Sequence, residues 1–237
     1  MFLSQSIIPL SMQSIFLDWY NLYSRLLYKI FKRTKVQSLN LEIIHPSVFF
    51  PLISSENILY GCLEQCRVLD IGTGSGVIAL MSKKKRAKYT LGIDINPYAI
   101  RNAEHNLSIN FHDNSCILFK QSDIFNEVSG RFDLIVSNPP FFNQQPRGIV
   151  EYKYSGQDTV DRILSEGRYF LSEKGEIRIL YPLSEHRYIL ALARKYGYDL
   201  RTIAHKMEKT PSLILMQRLF FIKSPKLAIY SFKIIRK

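Results

Sequence analysis

An alternation of short apolar strands with helical segments, beginning at residue 67, is the feature that most constrains the fold. Strands joined through helices form a parallel sheet with right-handed crossovers and helices on both faces. Towards the end of the chain apolar and polar residues alternate, which favours antiparallel edge strands. The pattern predicts an α/β fold with a mostly parallel, seven-stranded sheet. The predicted strands are 67–71, 89–95, 116–121, 132–137, 176–181, 213–222 and 227–236, and the predicted helices are 78–84, 96–107, 158–171 and 184–196.

The first 45 residues have a different pattern. Aromatic and aliphatic residues recur there at three- and four-residue steps, which indicates an amphipathic helix. This helix would end in a basic cluster of Lys29, Lys32, Arg33 and Lys35. We expect a helical N-terminal extension at 1–45 that packs against a main domain at 46–237. Contact with the substrate or with a membrane surface is the alternative role of such a basic helix.

The composition is strongly basic. Lys and Arg number 32 against 20 Asp and Glu, which gives a net charge of +12. Such a balance favours a polyanionic partner, although basic surfaces common to a lysine-rich proteome are an alternative explanation. Three cysteines and no completed zinc ligand set indicate a reducing compartment and no metal site. No apolar run is long enough to cross a membrane, and the N-terminus lacks a secretory signal. We therefore expect a cytoplasmic protein without integral membrane association.

A glycine-rich turn follows the first of these strands, in the segment VLDIGTGSG. Gly72, Gly74 and Gly76 let the backbone come close to a ligand and adopt positive φ. Spaced glycines alone also fit dinucleotide sites. However, Asp70 lies in the strand just before them, and the third glycine comes one residue too early for that motif. An acidic side chain here suits a ligand with a positive amino or sulfonium group better than a pyrophosphate.

Two further acids end the next two strands, Asp94 in GIDIN and Asp123 in QSDIF. A carboxylate at the first position can accept hydrogen bonds from both ribose hydroxyls. The second can accept one from an adenine amine, with Ile95 and Ile124 on the two faces of the ring. Ligands of open α/β sheets bind at the carboxyl ends of the strands, where these acids are expected to meet.

The segment SNPPFF follows the strand FDLIV directly. Two consecutive prolines fix the backbone at this strand end. The Asn138 amide and the Pro139 carbonyl can hold an NH₂ group so that its lone pair faces a methyl donor. Phe141 offers a flat face on which a base or an amide plane can stack.

These four segments together resemble the class I methyltransferases that use S-adenosylmethionine (SAM), and within them the Asn-Pro-Pro-Tyr/Phe amino-methyltransferases. The flanks VFFPLISSENIL and YSGQDTVDRIL resemble the HemK/PrmC glutamine methyltransferases, and GRFDLIVSNPPFF resembles the small-domain rRNA guanine-N2 methyltransferases. The resemblance implies a Rossmann-like methyltransferase domain with SAM as its cofactor. It implies that Asp94 holds the ribose, that Asp123 and Ile124 hold the adenine, and that Asn138, Pro139 and Phe141 hold the acceptor nitrogen. The methionine end would contact Asp70, Gly72, Thr73, Gly74, Ser75 and Gly76.

The substrate stays open at this point. An exocyclic amine of a ribosomal or transfer RNA base fits the net charge and the Phe141 stacking face. A glutamine of a protein such as a release factor fits the HemK-like flanks. A small molecule, or a non-catalytic subunit that binds SAM or RNA, completes the alternatives, and the oligomeric state is not indicated.

Overall fold

The computed structural model describes residues 22, 28–29, 32–49, 55–140, 158–204 and 226–235. From residue 32 onward the described residues form two sheets and four α-helices, with short 3-10 turns at Ser55–Ile58 and Leu183–Glu185, and Leu22, Tyr28 and Lys29 are helical as well. The strands are β1 Arg33–Val36, β2 Leu39–Glu42, β3 Arg67–Ile71, β4 Tyr89–Asp94, β5 Ile117–Gln121, β6 Phe132–Ser137, β7 Leu171–Pro182, β8 Tyr198–Ala204 and β9 Leu227–Ile234. The helices are α1 Val77–Lys84, α2 Pro97–Asn110, α3 Thr159–Gly167 and α4 His186–Tyr196.

The main sheet has seven strands in the order β5-β4-β3-β6-β7-β9-β8. Strands β3 to β7 are parallel, whereas β9 runs antiparallel to both β7 and β8. The predicted fold class, a mostly parallel seven-stranded sheet with an antiparallel edge, is therefore confirmed. The strand order reverses at β3, which lies between β4 and β6, so the carboxyl end of β3 is the place where such sheets bind ligands.

Helices cover both faces of the sheet because successive strand residues point to opposite faces. On one face, Val68 and Val136 pack with α1 and α2. On the other, Leu69 and Ile135 pack with α3 and α4. Strands buried on both sides explain the nearly continuous apolar runs that identified them in the sequence.

The N-terminal segment agrees with the expected helix at Leu22, Tyr28 and Lys29, which are helical, and differs from it after residue 32. Arg33 and Lys35 lie in β1, which pairs with β2 as an antiparallel hairpin, and not at the end of a helix. The two-residue turn is opened by Gln37, whose φ of 52° is left-handed. Val36, Leu39 and Leu41 are buried and the residues between them are more exposed, which is the two-residue alternation of burial expected of β-strands. The division of the chain at residue 45 stays a prediction, because the expected helix lies mostly outside the described residues.

The C-terminal half also departs from the sequence prediction. Helix α3 ends at Gly167, and β7 begins at Leu171, where the sequence predicted that helix to continue. Gly175, expected to break a helix, lies inside β7 beside a register shift, and a Cβ there would come within 2.8 Å of the Phe132 carbonyl oxygen. Strand β8 was not predicted, whereas β9 matches the predicted strand at 227–236. The predicted strand 213–222 lies outside the described residues.

Candidate functional site

The turn between β3 and α1 forms the floor of the candidate site. Gly72 has φ 74° and Gly74 has φ 55°, in the left-handed region where other residues are strained. A Cβ at Gly72 would meet no atom within 4 Å, and at Gly74 only the Gly72 carbonyl oxygen at 3.9 Å. At Gly76, in contrast, a Cβ would come within 3.0 Å of the Ala103 Cβ, so this glycine allows α1 to approach α2. Open space therefore lies over the first two glycines.

Asp70 is fully buried beneath this turn, with 0% of its surface exposed. Its Oδ2 accepts a hydrogen bond of 2.8 Å from the Thr73 hydroxyl. A side chain at Gly92 would come within 2.8 Å of that hydroxyl, so glycine is needed there as well. The other oxygen, Oδ1, is buried and receives no hydrogen bond from the described residues. Burial raises the pKa of Asp70 to about 7, with a smaller contribution from the charge of Asp94 and against the effect of the hydrogen bond from Thr73.

Asp94 ends β4 and is half-buried. Its Oδ2 accepts the Gly74 amide at 3.0 Å and its Oδ1 accepts the Asn96 amide at 2.9 Å. Burial raises the pKa of Asp94 to about 6, against the effect of these two backbone donors. The carboxylate holds the glycine turn to the neighbouring strand, and each oxygen keeps a lone pair for a further donor.

Asp123 and Ile124 follow β5, on the far side of β4 from β3. The Asp123 Oδ1 lies 2.9 Å from Nη1 of Arg162 in α3. Ile124 is buried with a left-handed φ of 50°, while Ile95, after β4, is 37% exposed. Ile95 is therefore partly exposed and Ile124 is buried, and their placement on the two faces of an adenine ring stays a prediction.

Asn138 follows β6, directly after Ser137, whose hydroxyl donates to the Ile71 carbonyl at 2.9 Å. In register, Ile71 is opposite Ser137 on one side and Ile93 on the other. Asp94 comes one residue after Ile93, and Asn138 comes one residue after Ser137. The two residues therefore lie at matching positions on either side of the glycine turn. The Asn138 Oδ1 is buried and receives no hydrogen bond from any residue that the structure describes.

The structure thus brings most of the predicted site residues to one edge of the sheet: Asp70, Gly72, Thr73, Gly74, Ser75, Gly76, Asp94, Ile95, Asp123, Ile124, Asn138 and Pro139. Phe141 lies outside the described residues. Sequence reasoning missed Arg162, because its partner Asp123 is 39 positions away and no local pattern joins them. It also missed the role of Asn102, Asn106 and Asn110 in α2, although their four-residue spacing was a visible signal.

The lysine run at 83–86 lies away from this edge. Its first two residues, Lys83 and Lys84, are the last residues of α1, and the run precedes the amino end of β4. The Lys83 side chain is nearly buried, 3.3 Å from the Cys116 sulfur, and the Lys85 amine donates to the Leu59 carbonyl at 2.7 Å. Two of the four basic residues in the run thus have local structural contacts.

Within the described part of the chain, no cluster of three or more His, Cys, Asp or Glu residues could hold a metal ion. The same part contains no helix long and apolar enough to span a membrane.

Comparison with curated proteins gives several relatives. A candidate protein N5-glutamine methyltransferase of Methanocaldococcus jannaschii is 32% identical over 156 residues, which are 62% of this chain and 77% of that protein. Ribosomal RNA small subunit methyltransferase C of Haemophilus influenzae is 35% identical over 144 residues, 58% of this chain and 38% of that protein. A tRNA1(Val) (adenine(37)-N6)-methyltransferase of Vibrio vulnificus is 27% identical over 71% of this chain and 74% of its own length.

Solved structures share the fold. A methyltransferase from Pyrococcus furiosus superposes with a TM-score of 0.60 at 19% identity, covering 94% of this chain and all of the other. A sequence model of the methyltransferase small domain family matches residues 54–204, well over half of the chain. Together with the sheet topology, this match shows that the chain belongs to the methyltransferase small domain family and is a SAM-dependent methyltransferase.

Proposed function

We propose that this methyltransferase transfers the methyl group of SAM to a planar amino nitrogen, and that the nitrogen is an exocyclic amine of a ribosomal or transfer RNA base. The observation that carries the chemistry is the buried, unpartnered Oδ1 of Asn138. A buried acceptor without a donor costs about 1–3 kcal/mol, so it fits a site whose donor arrives with the substrate. An amino group brings that donor.

The residues around the glycine turn suit the cofactor. The open space over Gly72 and Gly74 leaves room for a ligand to lie against the backbone. The unpartnered Oδ1 of Asp70 suits a positively charged group at the methionine end, and Asp94 retains acceptor capacity for ribose hydroxyls. Asp123, oriented by Arg162, would accept from the adenine amine, beside Ile95 and Ile124. Bound SAM supplies a methyl group on a sulfonium sulfur.

The chain's own contribution to the transfer is orientation. Asn138 Oδ1 and the Pro139 carbonyl oxygen are two acceptors that can hold the two hydrogens of an amino group. The following Pro140 stiffens the backbone between them. Held in this plane, the nitrogen lone pair faces the methyl carbon, and correct orientation can supply most of the barrier reduction. The amine loses its proton after transfer, so no general base is required.

Basic residues near the site support an RNA substrate. Exposed Lys32 precedes β1, and its carbonyl accepts the Ile43 amide at 2.8 Å. The Tyr28 hydroxyl, next to exposed Lys29, donates to the Ile44 carbonyl at 3.2 Å. Exposed Arg101 lies over the Tyr98 ring, near the start of α2. Helix α2 starts where β4 ends, so these cations lie towards the candidate site and can contact phosphates. An RNA substrate of this kind would place the protein in the cytoplasm.

A protein glutamine is the second candidate, favoured by the Methanocaldococcus jannaschii relative, of which this chain covers 77%. A glutamine side chain presents the same planar NH₂ group to Asn138. The two candidates therefore share one chemistry and differ in what surrounds the nitrogen.

The deciding experiment offers radiolabelled SAM and the purified protein to two pools from a strain that lacks this gene. One pool is total RNA and the other is total protein, and an Asn138→Ala protein serves as the control in both. We expect counts in RNA that depend on Asn138. Counts only in protein would replace the RNA assignment with the glutamine one, and counts in neither pool would contradict both.

A further inference from the structure

The asparagines of α2 form a ladder that binds the N-terminal segment. We call residues 40–47 the arm. The arm amides at Asn40, Glu42 and Ile44 donate to side-chain oxygens of α2 at 2.9, 2.8 and 2.8 Å. The acceptors, in the same order, are the Oδ1 atoms of Asn110, Asn106 and Asn102. The arm thus runs antiparallel to the helix, with Asn40 at the far end and Ser47 at the candidate site.

The spacing of the two elements explains this fit. Residues four apart on a helix rise about 6 Å, and residues two apart on a strand rise about 6.8 Å. Asparagines at 102, 106 and 110 therefore meet every second amide of the arm. One edge of β2 pairs with β1, and its other edge pairs with amide side chains instead of another strand.

Two buried asparagines continue from the arm into the candidate site. Asn106, fully buried, accepts from the Glu42 amide and donates from Nδ2 to the Ser75 carbonyl of the glycine turn at 2.8 Å. Asn96, 4% exposed, donates to the Ser47 carbonyl and hydroxyl at 3.2 and 3.0 Å. The Asn96 backbone amide in turn donates to Asp94. Each side of the glycine turn is thus connected to the arm through one asparagine.

We propose that docking of the arm and binding of SAM are coupled, with Asn106 as the positioning residue that links the arm to the glycine turn. The family match begins at residue 54, so the arm lies outside the part of the chain that defines the family. The proposal rests on the assignment of the glycine turn to SAM. It adds a second requirement: the arm, which lies outside the matched domain, must hold the glycine turn in the geometry that binds SAM.

Coupling has a reciprocal consequence that can be measured. If the docked arm improves SAM binding by some factor, SAM must stabilise the docked arm by the same factor. The Glu42 and Ile44 amides report docking directly, because both donate to asparagine oxygens of α2. Amide hydrogen exchange followed by NMR, with and without saturating SAM and without any acceptor, therefore tests the proposal on the unmodified protein. We expect exchange at Glu42 and Ile44 to slow several-fold when SAM is added.

Variants separate the arm contact from the turn contact. Asn106→Asp keeps an oxygen for the Glu42 amide but removes the donor to the Ser75 carbonyl. We expect SAM to bind roughly tenfold more weakly, as for one lost buried hydrogen bond, and no longer to slow exchange at Glu42. Asn110→Ala is the matched control, since Asn110 binds Asn40 at both its amide and its carbonyl, and its side chain makes no hydrogen bond with the glycine turn among the described residues. Its SAM affinity should stay within twofold.

A second pair of variants changes the arm residue Glu42 instead of α2. Glu42→Pro removes the amide hydrogen that Asn106 accepts, and Glu42→Gln keeps it while removing the same carboxylate. We expect only the proline variant to weaken SAM binding.

Three results would overturn the proposed coupling through Asn106. One is unchanged exchange at Glu42 and Ile44 in wild-type protein that does bind SAM. The others are wild-type SAM affinity in Asn106→Asp, or equal losses in Asn106→Asp and Asn110→Ala. Failure of the wild-type protein to bind SAM would be a separate result, because it would refute the cofactor assignment itself.

Discussion

The Gly74 amide donates to Oδ2 of Asp94 at 3.0 Å, which joins the turn after β3 to the end of β4. Asp94 Oδ1 at the same time accepts the Asn96 amide, so both oxygens are oriented by backbone donors before any ligand arrives. A carboxylate fixed in this way would lose little freedom on binding the proposed ribose, and such preorganisation favours affinity.

Replacing Asp94 by alanine should weaken SAM binding by at least tenfold. The carboxylate would accept hydrogen bonds from buried hydroxyls, and charged hydrogen bonds of this kind contribute about 1.5–3 kcal/mol. Isothermal titration calorimetry measures the affinity. Asp113→Ala is the control, because that exposed carboxylate bonds to Ser115 and Lys83, away from the glycine turn. Unchanged SAM affinity in the Asp94 variant would refute the ribose assignment.

Gly72→Ala should lower SAM affinity more than it lowers stability. A left-handed alanine costs roughly 1–2 kcal/mol of stability. Its methyl group would also project into the open space over the turn, where the ligand is proposed to lie. Gly197→Ala is the matched control. Gly197 also has a left-handed φ, 70°, and open surroundings, but it caps the C-terminus of α4 and is not part of the glycine turn. Thermal unfolding should show similar losses in both variants, and calorimetry a loss of SAM binding only at Gly72. Equal SAM affinities would place the ligand elsewhere.

Asn138→Ala should leave SAM affinity within a few-fold but reduce kcat by about 10²-fold or more, because it removes orientation of the acceptor and not cofactor contacts. The matched control is Asn114→Ala, on the exposed surface before β5. Steady-state methyl transfer on the substrate pool that accepts label gives kcat. Turnover within threefold of the wild type would contradict the role given to the Asn-Pro-Pro segment.

Stability without cofactor should fall as pH rises from about 4 to about 7. Burial raises the pKa of Asp70 to about 7 from its usual 3.8, so the folded state binds more protons than the unfolded state across this window. Stability then decreases with pH, and the contribution of the protonated carboxyl is lost as the pH passes the folded-state pKa. Asp70→Asn, which keeps an acceptor for Thr73, should flatten the profile. Urea unfolding between pH 4 and 8 measures it, and a parallel profile in the variant would be the contrary result.

Removing cations near the site should weaken RNA binding and its salt dependence. The double variant Lys29→Gln/Lys32→Gln loses two proposed phosphate contacts, so the slope of log affinity against log salt should fall by up to about two units. The matched control is Lys84→Gln/Lys88→Gln, which removes the same charge at the amino end of β4, opposite the candidate site. Filter binding to structured RNA from 50 to 200 mM salt compares them. Identical slopes in the two double variants would mean that RNA binding depends on the net charge of the protein and not on the cations near the candidate site.

The central strands and the site acids were predictable because each rests on a local pattern. Asp94 ends an apolar strand and Asp123 follows the next predicted strand, and Gly72 and Gly74 directly follow a strand that is buried on both faces. Strand ends of a parallel sheet converge, so their meeting followed from the order of elements alone.

Long-range contacts and irregular pairing limited the rest. Gly175 signals a break in a helix or a bulge in a strand equally well, and only pairing with β6 decides between them. The β1–β2 hairpin has Gln37 and Ser38 at its turn, and not the Asn-Gly or Asp-Gly pair that would announce it. The aromatic spacing before residue 32 also favoured a continuing helix.

The asparagine ladder changes what counts as the smallest unit of this protein. A fragment cut at the family boundary, residue 54, would keep every strand of the main sheet. It would nevertheless uncover Asn102 and Asn106, both at 0% exposure in the full chain, together with the apolar surface beneath Leu39 and Leu41. The boundary that sequence similarity recognises therefore lies inside the folded unit, because the arm before it covers part of α2.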